Sequence, residues 1–366
     1  MQNNNFTQSR LLSLDFFRGL TMFLLIAEST QLFSDLIAPG FEGTFIYSIG
    51  MQFHHHPWNG LRFWDLIQPF FMFIVGVAMP LSFSKRIKKG ESYNSIFKHI
   101  AIRSFILLLL GWWLYCISNG KVVFLFQNVL AQLSVTIMIS FLIMRKSAST
   151  QIVFSIGILA LTEFAYRVFW VEGFNDPFVA DRNFGAWLDL LISNRLSPGH
   201  WVSFNAIPTT AHTIWGVLAG WLLMSNKSNK RKLITLIIAG IAGLVIGYGL
   251  NPITPIIKRA TTSSFVFASG GWALLALAAS FWVIDMMKFK KGVLFFAIVG
   301  MNPLFIYLFA NVGGSNLIDR IIRPFATTIF GWAGEPAANL ITSSLTALGL
   351  WYICYWLYKR KIFIKI

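Results

Sequence analysis

A chain of 366 residues that is 56% hydrophobic and only 12% charged, with a mean hydropathy of +0.64, is more apolar and less charged than a water-soluble domain. That balance excludes a soluble enzyme and leaves no room for a large soluble domain. Lys and Arg outnumber Asp and Glu by 30 to 14, a formal charge of +16, but the cations are spaced along the chain as a topology signal and call for no nucleic-acid partner. The fold class is therefore all-α, a polytopic membrane bundle.

In chain order, apolar runs of about 20 residues, the length that crosses a hydrocarbon core about 30 Å thick, fall at residues 11–33, 61–83, 100–117, 122–144, 152–170, 209–224, 233–250, 264–286, 293–312 and 340–358. This predicts about ten transmembrane helices. The first follows polar MQNNNFTQSR, is too long for a cleavable leader and lacks a small-residue cleavage pattern, so it reads as a retained span. Lys85, Arg86, Lys88, Lys89 and Lys98 follow the second run, and Arg145 and Lys146 the fourth. Lys227, Lys230, Arg231 and Lys232 follow the sixth, Lys288, Lys290 and Lys291 the eighth, and Lys359, Arg360, Lys361 and Lys365 the tenth. The opposite loops carry Asp35, Glu42, Glu172, Asp176, Asp181, Asp189, Asp319 and Glu335. By the positive-inside rule, both termini are cytoplasmic. No internal repeat or low-complexity tract divides the chain, so residues 1–366 read as one transmembrane domain. The outward segments 37–60, 171–208 and 313–339 are long, and the second holds a short amphipathic stretch, DRNFGAWLDLLISNRL. Cys116 and Cys354 fall within or at the ends of helices and read as packing residues.

A lone ionised side chain in hydrocarbon costs several kcal/mol, roughly 2.5–3.5 on insertion scales, so charges inside the runs need partners. Asp15 and Arg18 in SLDFFRGLT stand three apart on one helix face and can neutralise one another. Glu28, in LLIAEST, has no opposite charge at helical spacing; a proton relay, a substrate contact and a satisfied packing residue remain open for it. In the second run Arg62, Asp65 and Gln68 share a face, and Pro69, Gly76 and Pro80 follow. Prolines within a helix free the carbonyl four residues back, which predicts a broken helix lining a cavity, against the plainer reading of a kinked packing helix.

His54, His55 and His56 precede that run. Adjacent side chains on an extended segment diverge, so they predict no metal site. Imidazole titrates near neutrality and can take a proton or an acyl group, and Asp65 can orient one such ring. A solvated interfacial loop is the alternative. His99 abuts the basic loop, His200 lies in an outer loop, and His212, opening the sixth run, reads as structural.

The motifs resemble a known family. RLLSLDFFRGLTM is similar to the Leu-Asp-x-Phe-Arg-Gly-Leu-Thr signature of the heparan-α-glucosaminide N-acetyltransferase family and its bacterial relatives. HHHPWNGLRFWDLIQPFFMFIVGVAMPLS resembles its second signature, and VGMNPLFIY and LYKRKIFIKI its closing segments. The resemblance implies a multi-pass acyltransferase of the bacterial inner membrane. Acetyl-CoA would be the co-substrate, with no metal, and the acceptor an amino sugar or glycan on the periplasmic side. It implies a homodimer among membrane lipids. It places the active-site histidine at His55, three before Trp58, with Asp65 as its carboxylate. Asp15, Arg18, Glu28, Trp58, Asn59, Asn302 and Tyr307 become substrate- or acetyl-CoA-binding candidates. The chain departs from the pattern at AESTQ, where the family carries Asn, at Gln132, where Arg is expected, and at Ala310, three after Tyr307, where a histidine is expected. A sugar or muropeptide transporter, with the intramembrane charges as substrate and proton sites, is the alternative function; a structural partner in an export machine is a third.

Overall fold

A computed structural model describes residues 11–364, so Arg10, Lys365 and the polar segment before the first run lie outside the described residues. The regular structure of the described residues is helical, joined by turns and loops, with one isolated bridge, Asn59 to Ile257, and no strand. In chain order the helices are α1 (Leu12–Glu28), α2 (Leu32–Asp35), α3 (Phe45–Gln52), α4 (Ile67–Lys88), α5 (Tyr93–Asn119), α6 (Val129–Ile143), α7 (Ala148–Val168) and α8 (Phe184–Ser193). After these come α9 (Thr210–Met224), α10 (Asn229–Leu250), α11 (Ser263–Ser280), α12 (Val293–Val299), α13 (Pro303–Phe309), α14 (Ser315–Phe330) and α15 (Glu335–Lys359). Their starts follow local chemistry: Ser92, Asn128, Ser147, Asn183 and Ser228 each accept a hydrogen bond from a first-turn amide.

Among the described residues six helices are long and apolar enough to cross a membrane: Phe63–Lys88, Tyr93–Asn119, Ala148–Val168, Asn229–Leu250, Ser263–Met286 and Glu335–Lys359. A seventh is added if Val293–Val299 and Pro303–Ala333, bent by 68° at their break, make one span. The expected count of ten is larger because three apolar runs form helices shorter than the runs themselves. Helix α1 has 17 residues, and α6 and α9 have 15 each. In α1 the shortening comes from Gln31, whose φ of 67° turns the chain before α2.

Two further expectations change. Pro69 does not break a helix: a 3₁₀ turn over Phe63–Leu66 precedes α4, and Pro69 is the third residue of α4, where an amide has no intrahelical acceptor to lose. Pro80 does lie inside the helix. Segment 313–339 is not an open loop, because α14 occupies most of it. Its apolar residues recur every fourth position, Leu317, Ile321, Phe325 and Ile329, all exposed, while Ile318 meets Gly349 of α15. Such a stripe is helical in period, yet Asp319, Arg320, Arg323 and Pro324 hold its mean hydropathy below that of a span.

The chain forms two compact units. One comprises residues 11–55, 62–67 and 279–364, the other residues 56–61 and 68–278. In the first, α1 packs on α12 and α15, and α14 on α15. A Cβ on Gly19 would stand 1.9 Å from the Phe296 carbonyl oxygen, so α1 and α12 touch backbone to backbone. In the second, α6 packs between α5 and α9, and α7 against α9. There α4 meets α9 at Gly76 and Gly216, where a Cβ would fall 2.1 Å from the carbonyl oxygens of Thr213 and Phe73 respectively. Small residues at both positions let the helices approach closely, the usual way helices associate without a hydrophobic drive between them.

Gly216→Leu should therefore cost more than the ~1–3 kcal/mol of ordinary overpacking, because backbone, not a side-chain tip, occupies the space. The variant is expected to melt several degrees lower than the parent in a detergent thermal-shift assay. Gly157→Leu, whose Cβ would meet nothing within 4 Å, should melt unchanged.

Candidate active site

The three histidines point to three different partners. His54 Nε2 lies 3.0 Å from the Phe33 carbonyl oxygen, and the His56 ring packs under Gly60 in the other unit. His55 Nδ1 lies 2.9 Å from Asp65 Oδ1. Asp65 is 1% exposed, while the His55 side chain is 31% exposed. The 3₁₀ turn before α4 brings the carboxylate there: Asp65 Oδ2 reaches back to accept from the Arg62 amide at 2.9 Å, and the Arg62 guanidinium donates to the His55 carbonyl at 3.1 Å. Arg62 thus fixes the backbone of the residue whose ring Asp65 holds. An ionised carboxylate can only accept, so the ring donates from Nδ1. A half-exposed imidazole oriented by a buried carboxylate is an arrangement that suits a nucleophile or a general base.

Glu28 is the last residue of α1 and exposed, and its Oε1 accepts from Trp64 Nε1 at 3.0 Å. Trp64 is itself buried, edge-on to Phe33 (4.9 Å), which stacks on Phe53 (4.4 Å). The aromatic group thus links the residue before Asp65 to the carboxylate at the end of α1. Next in sequence, Ser29 Oγ is 2.6 Å from Ser315 Oγ. Asp15 and Arg18 form the expected pair at 2.7 Å on the first turns of α1, and Asp285 Oδ2 accepts from the Ser13 amide.

In the second unit, Trp58 Nε1 donates to the Phe178 carbonyl at 2.7 Å, and its ring packs with Tyr166, Ile257 and Ala260. Asn59 is exposed and bridges Ile257, and the Gly60 amide donates to the Ile256 carbonyl at 2.8 Å. Here the signature residues fasten a loop. The same unit carries a chain of amides around buried Gln132 and Asn205: Gln68 donates to Gln132, Gln132 to Asn205 at 2.7 Å and to the Gln127 carbonyl at 3.1 Å, and Gln127 to Asp189 at 2.8 Å.

No family model matches the chain. Proteins from Homo sapiens and Mus musculus named heparan-alpha-glucosaminide N-acetyltransferase are 33% identical over 102 residues and 32% identical over 103 residues, respectively. The chain is similar to heparan-α-glucosaminide N-acetyltransferase. In each case the match covers 28% of this chain and 13% of the relative.

Two positions singled out from the sequence gain a physical account. Gln132 stands where Arg is expected, and its amide both donates to Asn205 and accepts from Gln68. A guanidinium has donors alone and could not close that chain. Asn302, fully buried, donates from Nδ2 to the Ile362 carbonyl at 3.0 Å and accepts at Oδ1 from the Ile364 amide at 2.8 Å. The two closing motifs are therefore tied to each other, and the Asn302 side chain is spent on main chain. Tyr307 is half-buried on α13, three residues before Ala310. Sequence reading passed over the bonding roles of Arg62, Trp64 and Asn302, whose partners are main-chain groups or lie far along the chain.

Asp189, taken from sequence as a plain loop acid, is 1% exposed and accepts from the Ser203 amide and Gln127. Burial raises its carboxyl above the ordinary 3.8, against the lowering effect of those hydrogen bonds. The folded state then holds a proton that the unfolded chain has lost, so stability is fullest below 3.8 and falls as pH rises through the raised value. Melting temperature in detergent is expected to drop across that window, and Asp189→Asn should flatten the pH dependence.

Proposed function

We propose that the protein is a transmembrane N-acetyltransferase that moves an acetyl group from cytosolic acetyl-CoA to the amine of an amino sugar or glycan of the glucosamine type on the periplasmic side of a bacterial inner membrane. The observation that carries this reading is the 2.9 Å contact between His55 Nδ1 and the buried Asp65 carboxylate, which orients a partly exposed ring. The names of the curated relatives support the reaction class and the acceptor class.

In this mechanism His55 Nε2 takes one of two routes. It attacks the thioester carbonyl, the C–S bond breaks, CoA leaves as thiolate, and the acyl-imidazole then passes its acetyl group to the acceptor amine, whose released proton balances the one the thiolate takes up from water. Alternatively it removes the proton from the amine as that nitrogen attacks the thioester directly, and returns the proton to the departing thiolate. Both routes end with one amide and one free thiol. Asp65 orients the ring and offsets the positive charge that develops on it, and Arg62 holds the backbone in register. Asp15 with Arg18 shapes the donor approach, Glu28 and Tyr307 serve as contacts for donor or acceptor, and Asn302 secures the closing segment. The proposal counts α1, α6 and α9 as crossings, giving ten spans with both termini cytoplasmic. It treats the chain as one functional domain, assembled as a homodimer.

Purified protein given acetyl-CoA and a panel of amino sugars and muropeptides is expected to release CoA thiol. His55→Ala should abolish release, and Asp65→Asn should lower its rate by about 10²–10⁴, the range of a positioned acid–base group. Thiol release unchanged in His55→Ala would remove the proposal. With labelled acetyl-CoA and no acceptor, label on the His55 peptide selects the covalent route and its absence under trapping selects direct transfer. The transporter reading, which the bent α12–α13 pair favours, instead requires acceptor uptake into proteoliposomes lacking acetyl-CoA.

A further inference from the structure

The second unit contains a groove of about 800 Å³ between α7, α9, α10 and α11, within the range of about 300–1,000 Å³ usual for small-molecule sites. Its wall is built from Ile152, Ile156, Leu222, Ile246 and Phe267, with small residues such as Ala239, Ala242 and Gly271 making the depth. Ile152, Ile156 and Ile246 are among the exposed hydrophobics, so the groove opens sideways between α7 and α10, two helices long enough to span a membrane. One end of the wall differs in kind: Arg145, Lys146 and Lys227 line it, and no acidic residue lines the groove anywhere.

That basic rim is built rather than incidental. Gln151 Nε2 donates to the carbonyls of Met144 and Lys146 at 3.1 and 3.0 Å, and Trp221 Nε1 donates to Met144 at 3.0 Å. The backbone that carries Arg145 and Lys146 is thereby held at the mouth of the groove. The Arg145 guanidinium lies over the Tyr93 ring at 5.1 Å.

We propose that this groove is a binding site for one anionic phospholipid, its phosphate on Arg145, Lys146 and Lys227 and its acyl chains along α7 and α10. The charge pattern selects an anion, since three cations and no acid meet the ligand at one end. The apolar remainder selects hydrocarbon: an anionic nucleotide such as CoA would press its ribose and adenine polar groups against Ile and Leu with few partners, at a cost that acyl chains do not incur. A basic pocket between transmembrane helices is also the arrangement that recognises acidic headgroups in general.

Native mass spectrometry on the full chain in detergent tests this, titrating phosphatidylglycerol against phosphatidylcholine of the same acyl chains. The expected result is one phosphatidylglycerol retained at concentrations where phosphatidylcholine is lost. The triple variant Arg145→Gln, Lys146→Gln, Lys227→Gln should bind phosphatidylglycerol about a hundredfold more weakly, the effect of three basic contacts at a membrane surface. Lys85→Gln, Lys88→Gln, Lys89→Gln, which removes equal charge elsewhere in the same unit, should bind as the parent does. Ala239→Trp, which fills the groove without altering charge, should lose the retained lipid while keeping the parent melting temperature. Equal retention of both lipids, equal weakening in the two charge variants, undiminished binding in Ala239→Trp, or displacement of the lipid by CoA would each overturn the proposal.

Discussion

A polar group withdrawn from water has to find its partner within the chain. In this protein that requirement acts at every level. It makes the described backbone helical, because a helix satisfies its own amides and carbonyls. It puts Ser or Asn at the start of five helices and the Asp285 carboxylate at the Ser13 amide. It gives the buried Asp65 carboxylate two separate donors, an imidazole on one oxygen and the Arg62 amide on the other. Removing a partner from such a group costs about 1–3 kcal/mol, so the site geometry is enforced by the same rule that enforces the fold.

The spans were legible where apolar length and period carried the signal. Every apolar run in the sequence is helical over most of its length, because hydrocarbon-length runs leave the backbone little else to do. What composition could not show was where a run stops short. Gln31 turns the chain by adopting a left-handed conformation that no pattern of hydrophobicity announces, and α14 hides in a segment whose charges and Pro324 dilute its hydropathy. Pro69 misleads for the opposite reason: a proline is disruptive in a helix interior and harmless in its first turn, and apolar patterning does not locate a helix start preceded by a 3₁₀ turn.

For the candidate site, residue chemistry singled out histidine and aspartate, and the family resemblance chose His55 from its neighbours. The pairing itself is short-range in sequence, ten residues, and was therefore readable. The roles of Trp64 toward Glu28 and of Asn302 toward residues 362 and 364 were not. Each joins segments dozens of residues apart, and neither leaves a periodic trace. Gln132 is a middle case, since its departure from the expected Arg is visible in sequence while its compensation by Gln68 and Asn205 appears only when three segments come together.

Asn302 has a consequence for how this protein can vary. Its amide reads the main chain at residues 362 and 364, not their side chains. The identities of those isoleucines are thereby decoupled from the clamp, which fixes register alone. Drift in the final segment would preserve the fastening as long as the asparagine persists, whereas exchanging that asparagine for an isosteric leucine would release a stretch of chain whose own sequence had not changed.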